Sequence, residues 1–86
     1  MSHVKLYTTA TCAFCVATKN FLKARGYSWT ELRVDLDPQA REAMIAATQR
    51  TSVPQIIIND VHVGGFDDMI ALDRRGSLRP LLAGTV

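Results

Sequence analysis

Cys12 and Cys15 are the only two cysteines of this 86-residue chain, and they stand three apart where an extended stretch gives way to a helical one. Val4-Lys5-Leu6-Tyr7 ahead of them reads as a strand, and Val16 to Arg25 behind them reads as a helix. Strand, Cys-x-x-Cys and helix in that order form the setting in which the motif reads as a redox dithiol. A thiolate is the nucleophile of disulfide exchange, and an ordinary cysteine, with a pKa near ~8.5, is only slightly ionised at neutral pH. A sulfur at a helix N-terminus faces unpaired N–H groups and the positive end of the dipole, which favours the anion. Cys12, ahead of the helix body, is the expected attacking sulfur. Cys15, one turn in, is the expected buried sulfur that resolves a mixed disulfide.

Two plainer readings of the pair are weaker. A structural disulfide closing so short a loop contributes only about 2 kcal/mol before strain is subtracted. A zinc site needs about four ligands. Beyond the cysteines only His3 and His62 remain, with no second Cys-x-x-Cys and no paired histidines, so no metal is expected.

The length suits one small domain spanning residues 1–86. No apolar run approaches a membrane span, so no membrane partner is expected. Met1-Ser2-His3 leads directly into a strand, without the look of a signal peptide. Two close cysteines are not a secreted disulfide framework, and a reducing cytoplasm is the expected location. The net charge of +2, with its basic residues dispersed, argues against nucleic acid.

Local signals order the rest. Arg25-Gly26 stops the first helix, with glycine suited to a left-handed cap. Trp29 to Val34 alternates as a second strand. Asp37-Pro38 starts a second helix, with Asp as N-cap and Pro at the first helical position, running to about Thr48. Val53-Pro54-Gln55 leads into Ile56-Ile57-Ile58, a strand apolar on both faces and so central. Asn59-Asp60 makes a two-residue turn into Val61-His62-Val63, a hairpin. Gly64-Gly65 breaks it, Asp67-Asp68 opens a third helix ending at Gly76, and Leu78 to Ala83 reads as a short final turn or helix. The order β-α-β-α-β-β-α predicts an α/β chain: a right-handed parallel crossover, then a hairpin, in a small mixed four-stranded sheet flanked by helices. That is the thioredoxin-like fold.

With these elements in place, the chain closely resembles the small dithiol glutaredoxins of bacteria, over nearly its whole length. The resemblance rests on Tyr7-Thr8 with Thr11-Cys12-Ala13-Phe14-Cys15, on Thr51-Ser52-Val53-Pro54-Gln55, on Val63-Gly64-Gly65-Phe66-Asp67-Asp68, and on Ala71-Leu72-Asp73. It implies a glutathione-dependent thiol–disulfide oxidoreductase that reduces protein disulfides and glutathione mixed disulfides, with Cys12 as nucleophile and Cys15 resolving. Glutathione is then a co-substrate, no cofactor is tightly bound, and the protein acts as a monomer on disulfide-bonded or glutathionylated proteins.

The resemblance also assigns a glutathione site. Val53, ahead of Pro54 in a cis peptide bond, lays its backbone beside the glutathione cysteine as a strand would. Asp67 and Asp68 receive the γ-glutamyl end, where a helix N-terminus offers N–H groups to the α-carboxylate and an Asp pairs with the amino group. Gly65, with Gly64, leaves room for backbone approach or serves only as a turn. Arg41 matches the cation of the second helix that meets the glycyl carboxylate. Thr9 occupies the position beside the motif where the family often carries lysine, which removes a charge near Cys12. Between the cysteines, Ala13 and Phe14 replace the usual proline and tyrosine, and Phe14 suits an apolar substrate contact. Met44, Met69 and Trp29 read as packing, and His3 and His62 as incidental.

Two alternatives remain open on the sequence. A redoxin driven by thioredoxin reductase shares this fold but carries Trp-Ser-Gly-Phe where this chain has Gly64-Gly65-Phe66, so the paired glycines and acidic pair favour glutathione. Some glutaredoxins without the motif proline carry an iron–sulfur cluster between two subunits, with glutathione as extra ligand.

Overall fold

The structure, a computed structural model, describes residues 3–83. The chain runs β1 (Val4–Thr8), α1 (Ala13–Ala24), β2 (Thr30–Arg33), α2 (Pro38–Thr48), β3 (Gln55–Ile58), β4 (Val61–Gly64), α3 (Phe66–Arg74) and α4 (Leu78–Leu82). The strands form one mixed sheet in the order β2-β1-β3-β4. β2 is parallel to β1, whereas β1 with β3 and β3 with β4 are antiparallel. This is the predicted thioredoxin-like architecture, with the final segment a helix of its own.

Side chains alternate across a strand, and that alternation sorts the helices onto two faces. Val4, Leu6, Ile56 and Ile58 point to one side, where they meet Leu22 of α1, Met69 of α3, and Leu78 and Leu82 of α4. Tyr7 and Ile57 point to the other, where they meet Ala40 and Met44 of α2 together with Val34 and Val53. Met44 and Met69 are fully buried, as expected of packing residues, and Trp29 is half-buried against the larger cluster.

The local signals act as written. Asp37 accepts a hydrogen bond from the Gln39 N–H at 2.9 Å, with Pro38 following in the first turn of α2. Gly26, at φ 80°, turns the chain out of α1, and the Tyr27 N–H closes back on Leu22. Asn59 and Asp60 both take positive φ, 52° and 66°, the pattern of a tight hairpin turn of the primed type. The Asn59 side chain also accepts from the His3 N–H at 2.7 Å and donates to the Leu81 carbonyl at 2.9 Å, tying the hairpin to β1 and α4.

Several boundaries differ from expectation, among them the start of α1 and both ends of β2. α1 begins at Ala13, ahead of Val16, because Cys12 has extended backbone and already serves as its N-cap. β2 is trimmed to Thr30–Arg33, although the Val34 N–H still reaches the Thr8 carbonyl at 3.0 Å.

Register decides where function can sit. Tyr7 pairs with Gln55, so the loop that precedes β3 lies beside the turn from β1 into α1. Ile56 pairs with Gly64, which brings the start of α3 to the same end of the sheet.

Candidate active site

Three loops meet at that end, and each contributes backbone as well as side chains. The Cys12 sulfur, half-buried, accepts the Cys15 N–H at 3.1 Å. Its S–H points to the Val53 carbonyl at 3.6 Å. The same sulfur thus caps a helix and touches the loop ahead of β3. A negative sulfur in this place lies against an N–H donor and the positive end of α1.

Cys15 is fully buried. Burial pushes its thiol up to about 12; the Cys12 side chain adds to the shift, while a hydrogen bond from the Thr9 backbone and the charge of Lys19 oppose it. Cys15 therefore stays protonated at neutral pH. The two cysteines, both free thiols, have opposite environments: one reachable and offered an N–H, the other buried and neutral.

The Val53–Pro54 peptide bond is cis, as the resemblance implies. The loop that carries it is braced from below by Gln55, which is 1% exposed. The Gln55 amide nitrogen donates to the Ser52 carbonyl at 3.0 Å and to the Ser52 hydroxyl at 3.2 Å. Its amide oxygen faces Nε2 of His62 at 2.8 Å. With the Gln55 nitrogen committed to Ser52, its oxygen must accept, so His62 donates from Nε2. Burial, and then the Arg50 guanidinium, push the His62 ring below the usual histidine range, against the pull of Asp68. His62 is thus part of the site's support rather than incidental.

Asp68 is equally committed. Its Oδ2 accepts the Gly65 N–H at 2.9 Å, the backbone half of a capping box at the head of α3. Arg50 meets the same oxygen at 3.4 Å. The Gly65 N–H, and after it the guanidinium, hold the Asp68 carboxyl below the usual carboxylate range. Gly64 makes this possible. Its φ is +115°, and a Cβ there would collide with the Asp68 carboxylate. Gly64 therefore accommodates Asp68, whereas a Cβ on Gly65 would meet the Pro54 carbonyl at an ordinary 3.6 Å.

A groove of about 170 Å³ runs between these loops. It brings together six residues singled out from sequence: Phe14, Val53, Pro54, Gly65, Asp67 and Asp68. Phe14 is 57% exposed, so its face is open to a partner, and its ring lies 5.9 Å from that of Phe66. Thr9 and Arg41 do not line the groove: Thr9 is half-buried beside Cys15, and Arg41 is exposed on α2. Arg50, Ser52, Gln55 and Phe66 line it as well. Arg50 went unnoticed because a single arginine ahead of the Thr51-Ser52-Val53-Pro54 segment carries no spacing signal. The alternation of the short hairpin could have flagged His62 as half-turned inward.

A larger depression of about 840 Å³ lies between Arg25, Tyr27, Asp73 and α4, whereas the smaller groove is lined by Val53, whose carbonyl meets the Cys12 sulfur, and by Phe14 from between the cysteines. Among the described residues no three His, Cys, Asp or Glu side chains stand together in a way that could hold a metal ion. No described helix is long and apolar enough to cross a membrane.

The glutaredoxin family model matches residues 4–63. The chain is 48% identical over 82 residues to glutaredoxin 3 of Escherichia coli (strain K12), covering 95% of this chain and 99% of that one. It is 41% identical over 83 residues to the glutaredoxin of Pseudomonas aeruginosa, covering 96% and 99%. The solution structure of glutaredoxin from Brucella melitensis superposes with a TM-score of 0.79 at 38% identity, over 93% of this chain and 87% of that one. A buckwheat glutaredoxin–glutathione complex superposes with a TM-score of 0.87 at 22% identity, over 98% and 79%, a likeness of fold. With most of the chain matched by one family and two bacterial relatives aligned almost end to end, this chain belongs to the glutaredoxin family and is a thiol–disulfide oxidoreductase.

Proposed function

We propose that this oxidoreductase uses glutathione, with Cys12 as nucleophile and Cys15 as resolving thiol. The single observation that carries the reading is the placement of the Cys12 sulfur between the Cys15 N–H at 3.1 Å and the carbonyl of Val53, a residue of the groove, at 3.6 Å.

In the first step the Cys12 thiolate attacks the glutathione sulfur of a mixed disulfide. A new Cys12–glutathione disulfide forms, and the substrate thiolate leaves and takes a proton from water. A second glutathione thiolate then attacks the glutathione sulfur of that intermediate, releasing oxidised glutathione and restoring Cys12. With a protein disulfide, Cys12 attacks one sulfur and Cys15 displaces the resulting mixed disulfide. That step leaves Cys12–Cys15 oxidised and the substrate as a dithiol, and two glutathione molecules reduce the pair again. Cys15 must lose its proton to act, and its burial keeps it in reserve until Cys12 is engaged.

The binding roles follow the groove. The Val53 backbone beside cis Pro54 receives the glutathione cysteine as a strand edge would. Gly65 borders the path, Asp67 and Asp68 receive the γ-glutamyl end, and Phe14 covers the sulfur. Arg41 and Thr9 lie outside the groove, with Arg41 toward the glycyl carboxylate and Thr9 beside the motif. The protein acts as a monomer in a reducing cytoplasm, on disulfide-bonded or glutathionylated proteins.

The test is a coupled assay with each electron source. Rapid turnover of a glutathione mixed disulfide with glutathione and glutathione reductase is the expected result. Turnover with thioredoxin reductase and none with glutathione overturns it.

A further inference from the structure

Among the described residues that line the groove, Arg50 is the only cation, and two carboxylates, Asp67 and Asp68, line it as well. Its link to Asp68 is slight. One guanidinium nitrogen meets Oδ2 at 3.4 Å, and both side chains are 51% exposed. Such an open single contact contributes little. It nevertheless leaves the guanidinium over the first turn of α3 with its other N–H donors uncommitted. Asp68 in turn is fixed by the Gly65 N–H at 2.9 Å, so the anchor itself does not wander. We propose that Arg50 recognises the α-carboxylate of the γ-glutamyl end of the substrate, a reading that rests on glutathione being the co-substrate.

The charges of the groove fit a zwitterion. A guanidinium presents a planar fork that matches a carboxylate, and the free N–H groups of the first helical turn of α3 lie beside it. Arg50 offsets one of the two acidic charges. Among the described residues the Asp67 carboxylate has no hydrogen-bond or ion-pair partner, and the bonds to Asp68 use only Oδ2, so a carboxylate remains for an ammonium group. The γ-glutamyl end carries both groups on one carbon. Arg41, exposed on α2 and outside the groove, leaves Arg50 as the cation at this end.

Steady-state kinetics of the full chain test the assignment with two mixed disulfides of one cysteine peptide. The first carries glutathione. The second carries 4-aminobutyryl-Cys-Gly, which lacks only the α-carboxylate. Arg50→Ala raises KM for the first roughly tenfold, the order expected for a lost charge-assisted hydrogen bond, with the change in KM rather than kcat, and Arg50→Lys recovers part of it. On the second substrate wild type and Arg50→Ala have the same KM. Equal losses on both substrates, a loss confined to kcat, or no change with glutathione overturns the assignment. If wild type turns over neither substrate, the glutathione reading itself has failed. Circular dichroism of Arg50→Ala confirms that the exposed replacement leaves the fold intact, and a variant that unfolds passes the test to the ratio of the two substrates in wild type, where equal KM values overturn the assignment.

Discussion

The Cys15 amide N–H lies 3.1 Å from the Cys12 sulfur, so Cys15 solvates that sulfur through its backbone while its own thiol stays buried. One turn of helix thereby gives two chemically equal side chains different environments.

Cys15 makes stability depend on alkaline pH. Its thiol sits at about 12 in the folded chain, above the ordinary 9.0, so the neutral form favours the fold. The contribution is whole below about pH 9 and is lost as the pH climbs toward 12. Urea unfolding of the reduced protein and of Cys15→Ala across that range checks it. The stability difference between them moves against wild type as the pH rises, and a constant difference contradicts the account.

Gly64 is expected to tolerate no side chain. Gly64→Ala places a Cβ at φ +115° and against the Asp68 carboxylate, at a cost of about 1–3 kcal/mol. Thermal unfolding measures it. In an Asp68→Ala background the carboxylate is gone, only a tight 3.0 Å approach to the Cβ of residue 68 remains, and the added cost falls toward the backbone part.

Glu31 links β2 to a buried hydroxyl. Thr8 is fully buried and donates to Glu31 at 2.6 Å, and Lys19 meets the same oxygen at 3.0 Å. Thr8, then Lys19, hold the Glu31 carboxyl below its ordinary 4.5. The contribution is therefore present above that pH and is lost as pH falls through the lowered value. Glu31→Ala, which leaves the Thr8 hydroxyl without a partner, costs about 1–3 kcal/mol at neutral pH. Denaturant titrations of both proteins should show the gap narrowing below pH 4.5.

Gln55 braces the loop that faces Cys12. Gln55→Leu keeps the volume but strands the Ser52 carbonyl and the His62 ring, and it lowers stability by about 1–3 kcal/mol. Turnover falls by more than the unfolded fraction explains, because the Val53 carbonyl loses its support. Urea titration and kinetics on one preparation separate the two effects.

The fold was legible because its punctuation is local. Asp37-Pro38, Gly26, Asn59-Asp60 and Gly76 each act through their own backbone, and the observed cap and φ values follow from residue type. The contrasting burial of the two cysteines was legible for the same reason, since N-cap and first-turn positions are neighbours in sequence. The support of the site was not. Gln55 and His62 meet across a hairpin, Arg50 and Asp68 are 18 residues apart, and Thr8 and Glu31 are 23 apart. Each pair exists only because the sheet register brings distant segments together, and register is a tertiary property. Gly64 shows the boundary well. Its motif is visible in the sequence, but its role in making room for Asp68 arises only from the folded arrangement of β4 and α3.

The proposed division of labour, with Cys12 attacking and Cys15 resolving, is tested by trapping the intermediate. Cys15→Ser and Cys12→Ser proteins are each incubated with oxidised glutathione, and the adduct is located by mass spectrometry of the digested chain. The account predicts one glutathionyl group on Cys12 of the Cys15→Ser protein, with deglutathionylation activity retained, and neither adduct nor activity for Cys12→Ser. Equal labelling of both proteins, or an adduct formed first on Cys15, contradicts it.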